Sequence, residues 1–135
     1  MATEVHTDVY QVSSNLPKRA VQADGIFQMG VGLGVLLENS SLANWLNVNA
    51  EVVLIVAAVA VVSGIGTLYL AQRSLNPKLL LFGAISNLVG VVLVGIVLAL
   101  DWNNFLNEGR WFLAFLADAF LILGVAEFYV RRYVA

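Results

Sequence analysis

Asp118 is the side chain with the most chemistry to offer in this sequence. It lies 8 positions after Arg110 and 13 before Arg131, in a largely apolar stretch. On a helix rising 1.5 Å per residue it would stand about 12 Å from one end of a membrane span and about 20 Å from the other. A lipid-facing carboxyl there costs at least about 2.5–3.5 kcal/mol, so Asp118 is expected to turn into a bundle interior. Two chemistries then compete. One is a proton, ion or ligand site. The other is a neutral, protonated Asp that hydrogen-bonds a neighbouring helix. Asn87 and Gln28 fall at similar depths in two other apolar stretches. The sequence therefore predicts an intramembrane polar site of Asp118, Asn87 and Gln28, extended by Ser86 and Ser63. Intramembrane Asn and Gln also serve as plain helix–helix glue, at roughly 0.6 and up to about 2 kcal/mol.

Asp24, Glu127 and Arg131 form a second candidate group, a charge cluster nearer the cytoplasmic side. Glu127 precedes Arg131 by four positions, the favourable order for a helical ion pair. Asp24 is placed to meet Arg19, or Arg131 and Arg132. Structural pairing is the expected role, with the inner mouth of a polar path to Asp118 as the alternative. Other reactive chemistry is missing. The chain has no cysteine, which excludes disulfides, thiol catalysis and thiolate metal sites. His6, beside Glu4 and Asp8, is the single histidine, so a multi-histidine metal or haem site is excluded. No Ser–His–Asp set, HExxH or P-loop is present, and the glycines at Gly30, Gly32 and Gly34 follow no credible strand. No catalytic residue, metal or cofactor is expected, and the chain reads as a non-enzyme. A bound lipid or quinone stays compatible with it.

These residues must be held by membrane-spanning helices. The chain has 135 residues, 60% hydrophobic and 12% charged, about half the charged share of a soluble domain, roughly 25%. Its net charge of −2 argues against a nucleic-acid partner. Four apolar stretches cover 20–37, 52–70, 79–100 and 111–130. A bilayer core about 30 Å thick needs roughly 20 helical residues, and such runs are too long for barrel strands. The expected fold is an all-α membrane protein, a four-transmembrane-helix bundle of two tandem helical hairpins. Residues 1–19 read as a polar cytoplasmic tail, with Pro17, Lys18 and Arg19 marking the start of the first helix. Asn76-Pro77 reads as a stop-and-restart signal between the second and third spans.

Lys18, Arg19, Arg73, Lys78, Arg131 and Arg132 fall on one side of this topology, and Arg110 alone on the other. That bias predicts a multi-pass protein of the plasma (inner) membrane with both termini cytoplasmic. Trp45, Trp102 and Trp111 then sit at the outer interface, and Tyr69, Tyr129 and Tyr133 at the inner one. The glycines read mostly as packing devices, in small-xxx-small pairs such as Gly30/Gly34, Ala60/Gly64 and Ser86/Gly90.

The two halves also look alike. Asn44-Trp45-Leu46-Asn47 matches Asn104-Phe105-Leu106-Asn107, and Gly64 to Leu70 matches Gly124 to Val130, at a spacing of 60. Gly25 falls on Gly83 and Gly32 on Gly90 at a spacing of 58. This reads as an internal repeat of one hairpin. The acids Asp24, Asp118 and Glu127 break it, falling opposite Phe82, Ala58 and Thr67.

The pattern resembles small bacterial four-span integral membrane proteins of unassigned function. The residues that carry the resemblance are Arg19 and Asp24, the glycines Gly30 to Gly34, Asn87, and Glu127 followed by Arg131 and Arg132. It covers residues 19–132, and the chain departs from it by carrying Asp118 and lacking a Trp soon after Asn87. The resemblance implies the four-span architecture and no catalytic residue.

The sequence thus predicts an accessory or structural membrane protein that acts through helix–helix contacts. Its partners would be the lipid bilayer and other membrane subunits or copies of itself. The alternative is a small oligomeric transporter or channel component with a polar site at Asp118.

Overall fold

The computed structural model of the chain describes residues 2–73 and 75–134, with side chains from residue 15 onward. The described residues are helical almost throughout. Five α-helices follow one another: α1 (Ala2–Leu37), α2 (Asn39–Leu46), α3 (Ala50–Arg73), α4 (Pro77–Asp101) and α5 (Asn107–Val130). Short 3-10 turns occupy Trp102–Asn104 and Arg131–Tyr133. Four of the helices are long and apolar enough to cross a membrane, over Asn15–Leu37, Ala50–Arg73, Pro77–Asn104 and Asn107–Tyr133.

The chain is a four-span bundle of two hairpins, α1 with α3 and α4 with α5. Within each hairpin the helices pack along one another, and the hairpins meet chiefly where α1 lies on α5. Four antiparallel spans bring both termini to one end of the bundle, here the terminal end. The α2 segment and the α4–α5 link form the opposite, loop end.

Pro17 does not start the first helix; α1 runs through it, and its ring is fully buried. A proline removes one backbone donor, and neighbouring helices make that tolerable inside a membrane bundle. The reading of His6 with Glu4 and Asp8 lies outside the described side chains. Asn76 and Pro77 act as expected. The Asn76 Oδ1 accepts from the Leu79 amide at 2.9 Å, and Pro77 sits at the first helical position, where no amide hydrogen is needed.

The link between the first two spans contains a helix of its own. α2 buries Leu42 and ends at Asn47, whose φ of 53° is left-handed. Asn tolerates that conformation, and it lets the Val48 amide reach the Ala43 carbonyl at 3.0 Å. The second link is tied to the first. The Leu106 amide donates to the Trp45 carbonyl at 2.9 Å. Gly109 is bare at the same place, where a Cβ would stand 2.5 Å from that carbonyl oxygen. Arg110 closes the second link by donating from Nε to the Trp102 carbonyl at 2.9 Å, with its guanidinium 4.5 Å from the Trp102 ring centre.

α3 and α4 have little contact with each other. In the loop-end half an apolar cleft of about 610 Å³ opens between them, lined by Val53, Ala57, Leu93, Val97, Leu113 and Phe120 among others. In the terminal-end half Val21, Ala71 and Leu80 close into a buried cluster, joined by Leu75, Leu79, Val130 and Val134.

Candidate functional site

Among the described residues three polar side chains are buried in the bundle, and they come from three different spans. Asp24 of α1 is 2% exposed, Asn87 of α4 is 6% exposed and Glu127 of α5 is 1% exposed. Helix phase brings them together. Asn87 shares a face of α4 with Leu80 and Ala84, the other buried residues of that helix. Glu127 shares a face of α5 with Gly109, Leu113 and Gly124.

Asn87 is the hub. Its Nδ2 donates to Asp24 Oδ2 at 3.0 Å and to Glu127 Oε1 at 2.8 Å. A side-chain amide has two hydrogens, one for each carboxyl. Gln28, one turn beyond Asp24 on α1, donates from Nε2 to Asp24 Oδ1 at 2.9 Å. The Asp24 and Glu127 carboxyls thus flank the same amide nitrogen. Among the described residues no buried side-chain nitrogen or oxygen lacks a partner.

Small residues make the room. Gly83 of α4 faces the Glu127 carboxyl so closely that a Cβ there would collide with Oε2. Gly124 faces Asn87, where a Cβ would stand 3.2 Å from the Asn87 Cβ. The cluster is closed along the bundle axis on both sides. Val21 and Leu80 lie one to two turns towards the terminal end. On the other side Phe27 meets Phe120 edge-on, with ring centres 5.9 Å apart, and Phe120 covers Gly90. The large apolar cleft lies beyond this aromatic layer and does not include the polar cluster.

The predicted polar site is therefore half present. Gln28 and Asn87 both donate to Asp24, and Asn87 alone also donates to Glu127. Asp118 is not with them. It is exposed on the outer face of α5 and, among the described residues, has no hydrogen-bond or ion-pair partner. The physical reason is phase. Asp118 and Glu127 stand nine positions apart, which at about 100° per residue is two and a half turns, so they point in opposite directions. One rigid helix cannot bury both against the same neighbours. The signal was present in the glycines: Gly124 lies about 60° from Glu127 and about 120° from Asp118 around the helix. Ser86 and Ser63 are exposed and stay outside the cluster.

The expected charge cluster is likewise divided. Asp24 and Glu127 come together, but Arg131 does not pair with Glu127. Its guanidinium lies 4.2 Å from the centre of the Phe128 ring. The α-helix gives way to a 3-10 turn at Arg131, and Glu127 is committed inward to α4. A cation that followed it would have to leave the polar interface. Arg19 is exposed and Arg132 stacks on Tyr129 at 3.9 Å, so Asp24 meets neither.

Chemically, two carboxyls that share one bridging amide, with no cation among their described partners, form a place where one proton or one small monovalent cation would relieve the repulsion between them. The described residues hold no group of three or more His, Cys, Asp or Glu arranged for a metal ion. No protein-family model, curated protein or solved structure is significantly similar to the chain.

Proposed function

We propose that this multi-pass membrane protein is a non-enzymatic accessory or structural component that acts through helix–helix contacts. We place it in the plasma membrane, with both termini in the cytoplasm, because the basic residues gather at the terminal end. The observation that carries the reading is the closure of the polar cluster. Asn87 hydrogen-bonds both Asp24 and Glu127, and the three lie between an apolar and an aromatic layer. Their work in this reading is to lock three spans in one arrangement. Satisfied polar networks of this kind specify packing.

A second reading is favoured by the two carboxyls gathered on one amide nitrogen, an arrangement that suits proton or cation handling. It moves the alternative of a transporter component from Asp118 to Asp24 and Glu127. Reconstitution into proteoliposomes separates the two. With pH-, sodium- and potassium-sensitive dyes, the accessory reading expects no flux above protein-free vesicles. A flux that Glu127→Gln abolishes, while the bundle keeps its helicity, overturns it in favour of transport.

A further inference from the structure

α5 carries an exposed seam on the side opposite its buried face, touched among the described residues at Phe115, whose ring centre lies 6.4 Å from that of Phe27, and at Tyr129, which meets Arg132 and Tyr133. Trp111, Phe115, Asp118, Ile122, Val125 and Tyr129 follow one another at steps of four, three, four, three and four. At about 100° per residue they fall within about 40° of one line. Glu127, Phe120 and Leu113 lie on the far side of the helix. All six seam residues are exposed, Trp111 by 77% and Ile122 by 68%. Alternating steps of three and four are the spacing of a helix that meets a parallel helix knobs-into-holes. Beside the seam a shallow groove is lined by Leu121, Ile122, Val125, Ala126 and Tyr129.

We propose that this seam is a parallel two-fold interface with a second copy of the chain, in which Asp118 hydrogen-bonds Asp118 of the second copy. The proposal rests on the reading that the protein acts through helix–helix contacts. Four considerations on the seam select a second copy. First, a polar group inside the span with no partner among the described residues needs one from outside. Second, all copies insert with the same topology, so two α5 helices run parallel, and a two-fold axis places each seam residue opposite its own equivalent. Third, two carboxyls can satisfy each other when at least one carries its proton, since a protonated carboxyl offers both a donor and an acceptor. Fourth, a single polar residue in an otherwise apolar seam is the best-attested device for fixing register and oligomeric state.

The chain lacks cysteine, so single cysteines report the interface directly. Phe115→Cys and Ile122→Cys in proteoliposomes are compared with Val59→Cys on α3 and Val92→Cys on α4, both outward-facing. The two seam variants should form disulfide dimers and the two controls should not. Dimer affinity is then read by single-molecule photobleaching at graded protein-to-lipid ratios. Asp118→Leu should weaken association by about tenfold, the worth of one strong interhelical hydrogen bond in a membrane. Asp118→Asn, which also donates and accepts, should preserve it. Circular dichroism confirms that each variant keeps its helices. Seam cysteines that cross-link no better than the controls overturn the interface. Association that is indifferent to Asp118→Leu overturns the role of the carboxyl. Cross-linking in native membranes to a different protein, with none between copies, overturns the second copy in favour of a partner span carrying a basic residue. These outcomes are independent of the flux measurement, which tests the accessory reading itself.

Discussion

Asn87 uses both of its amide hydrogens on buried carboxyls, so it is the residue on which the polar cluster depends. Asn87→Leu leaves two buried acceptors short of a donor, at a cost of about 1–3 kcal/mol for each orphaned group. Gln28→Leu removes one hydrogen bond from a half-buried donor and should cost under about 1.5 kcal/mol. Steric-trap unfolding in bicelles measures both, and the prediction is that Asn87→Leu is clearly the more damaging. At this scale the sequence was only partly legible. Residue type and depth singled out Gln28 and Asn87, and the structure places both on Asp24. Type and depth could not choose between Asp118 and Glu127 as the acid that Asn87 meets, because depth ignores rotation about the helix axis. Nor did the spacing of Glu127 and Arg131 reveal that the helix would tighten into a 3-10 turn and carry the guanidinium onto Phe128. An i,i+4 pair on a helix surface is a rule for exposed faces, and Glu127 is not on one.

At the scale of the element, the contacts between helices are set by which glycines face a backbone. A Cβ on Gly64 would stand 2.7 Å from the Gly25 carbonyl oxygen and the Met29 amide, and one on Gly32 would stand 2.9 Å from the Ala57 carbonyl oxygen. Both mark the close approach of α1 and α3. Gly30 and Gly34, which the small-xxx-small spacing had singled out, face open space. Alanine substitution should therefore divide the glycines. Gly64→Ala and Gly32→Ala push backbones apart and should cost about 1–3 kcal/mol, as overpacking does. Gly30→Ala and Gly34→Ala should be neutral or stabilising by up to about 1 kcal/mol, through helix propensity. The same unfolding assay ranks the four, and equal effects would show that α1 does not meet α3 through this face. The spans themselves were legible because an uncharged run of twenty apolar residues has few other folded uses. α2 was not, because Asn39-Ser40-Ser41 resembles a loop and the helix buries little beyond Leu42.

For the whole molecule, the one-sided distribution of basic residues predicts that reporter tags at residue 2 and residue 135 both report the cytoplasm. A protease-protection assay on inverted and right-side-out vesicles checks this, and protection of either tag in the wrong compartment removes the proposed orientation. The bundle is also legible only in part at this scale. Two hairpins follow from four short-linked spans, but the open side between α3 and α4 does not, since no apolar pattern distinguishes a helix face covered by protein from one covered by lipid. The bond from Asn87 to Asp24 joins one hairpin to the other, and this bears on how the protein is made. The first hairpin leaves the ribosome with Asp24 held only by Gln28, and waits for α4 to bring its amide. Until then it is an incomplete membrane protein with an acid in a poorly covered groove, the kind of species that quality-control proteases remove. Expressed alone, residues 1–74 should be degraded quickly. Co-expressed with residues 75–135, they should be rescued, because α1 on α5 and Asn87 on Asp24 do not require the peptide link between the halves. A pulse-chase on the two fragments, separately and together, would read this as a lengthened half-life, and Asn87→Leu in the second fragment should abolish the rescue.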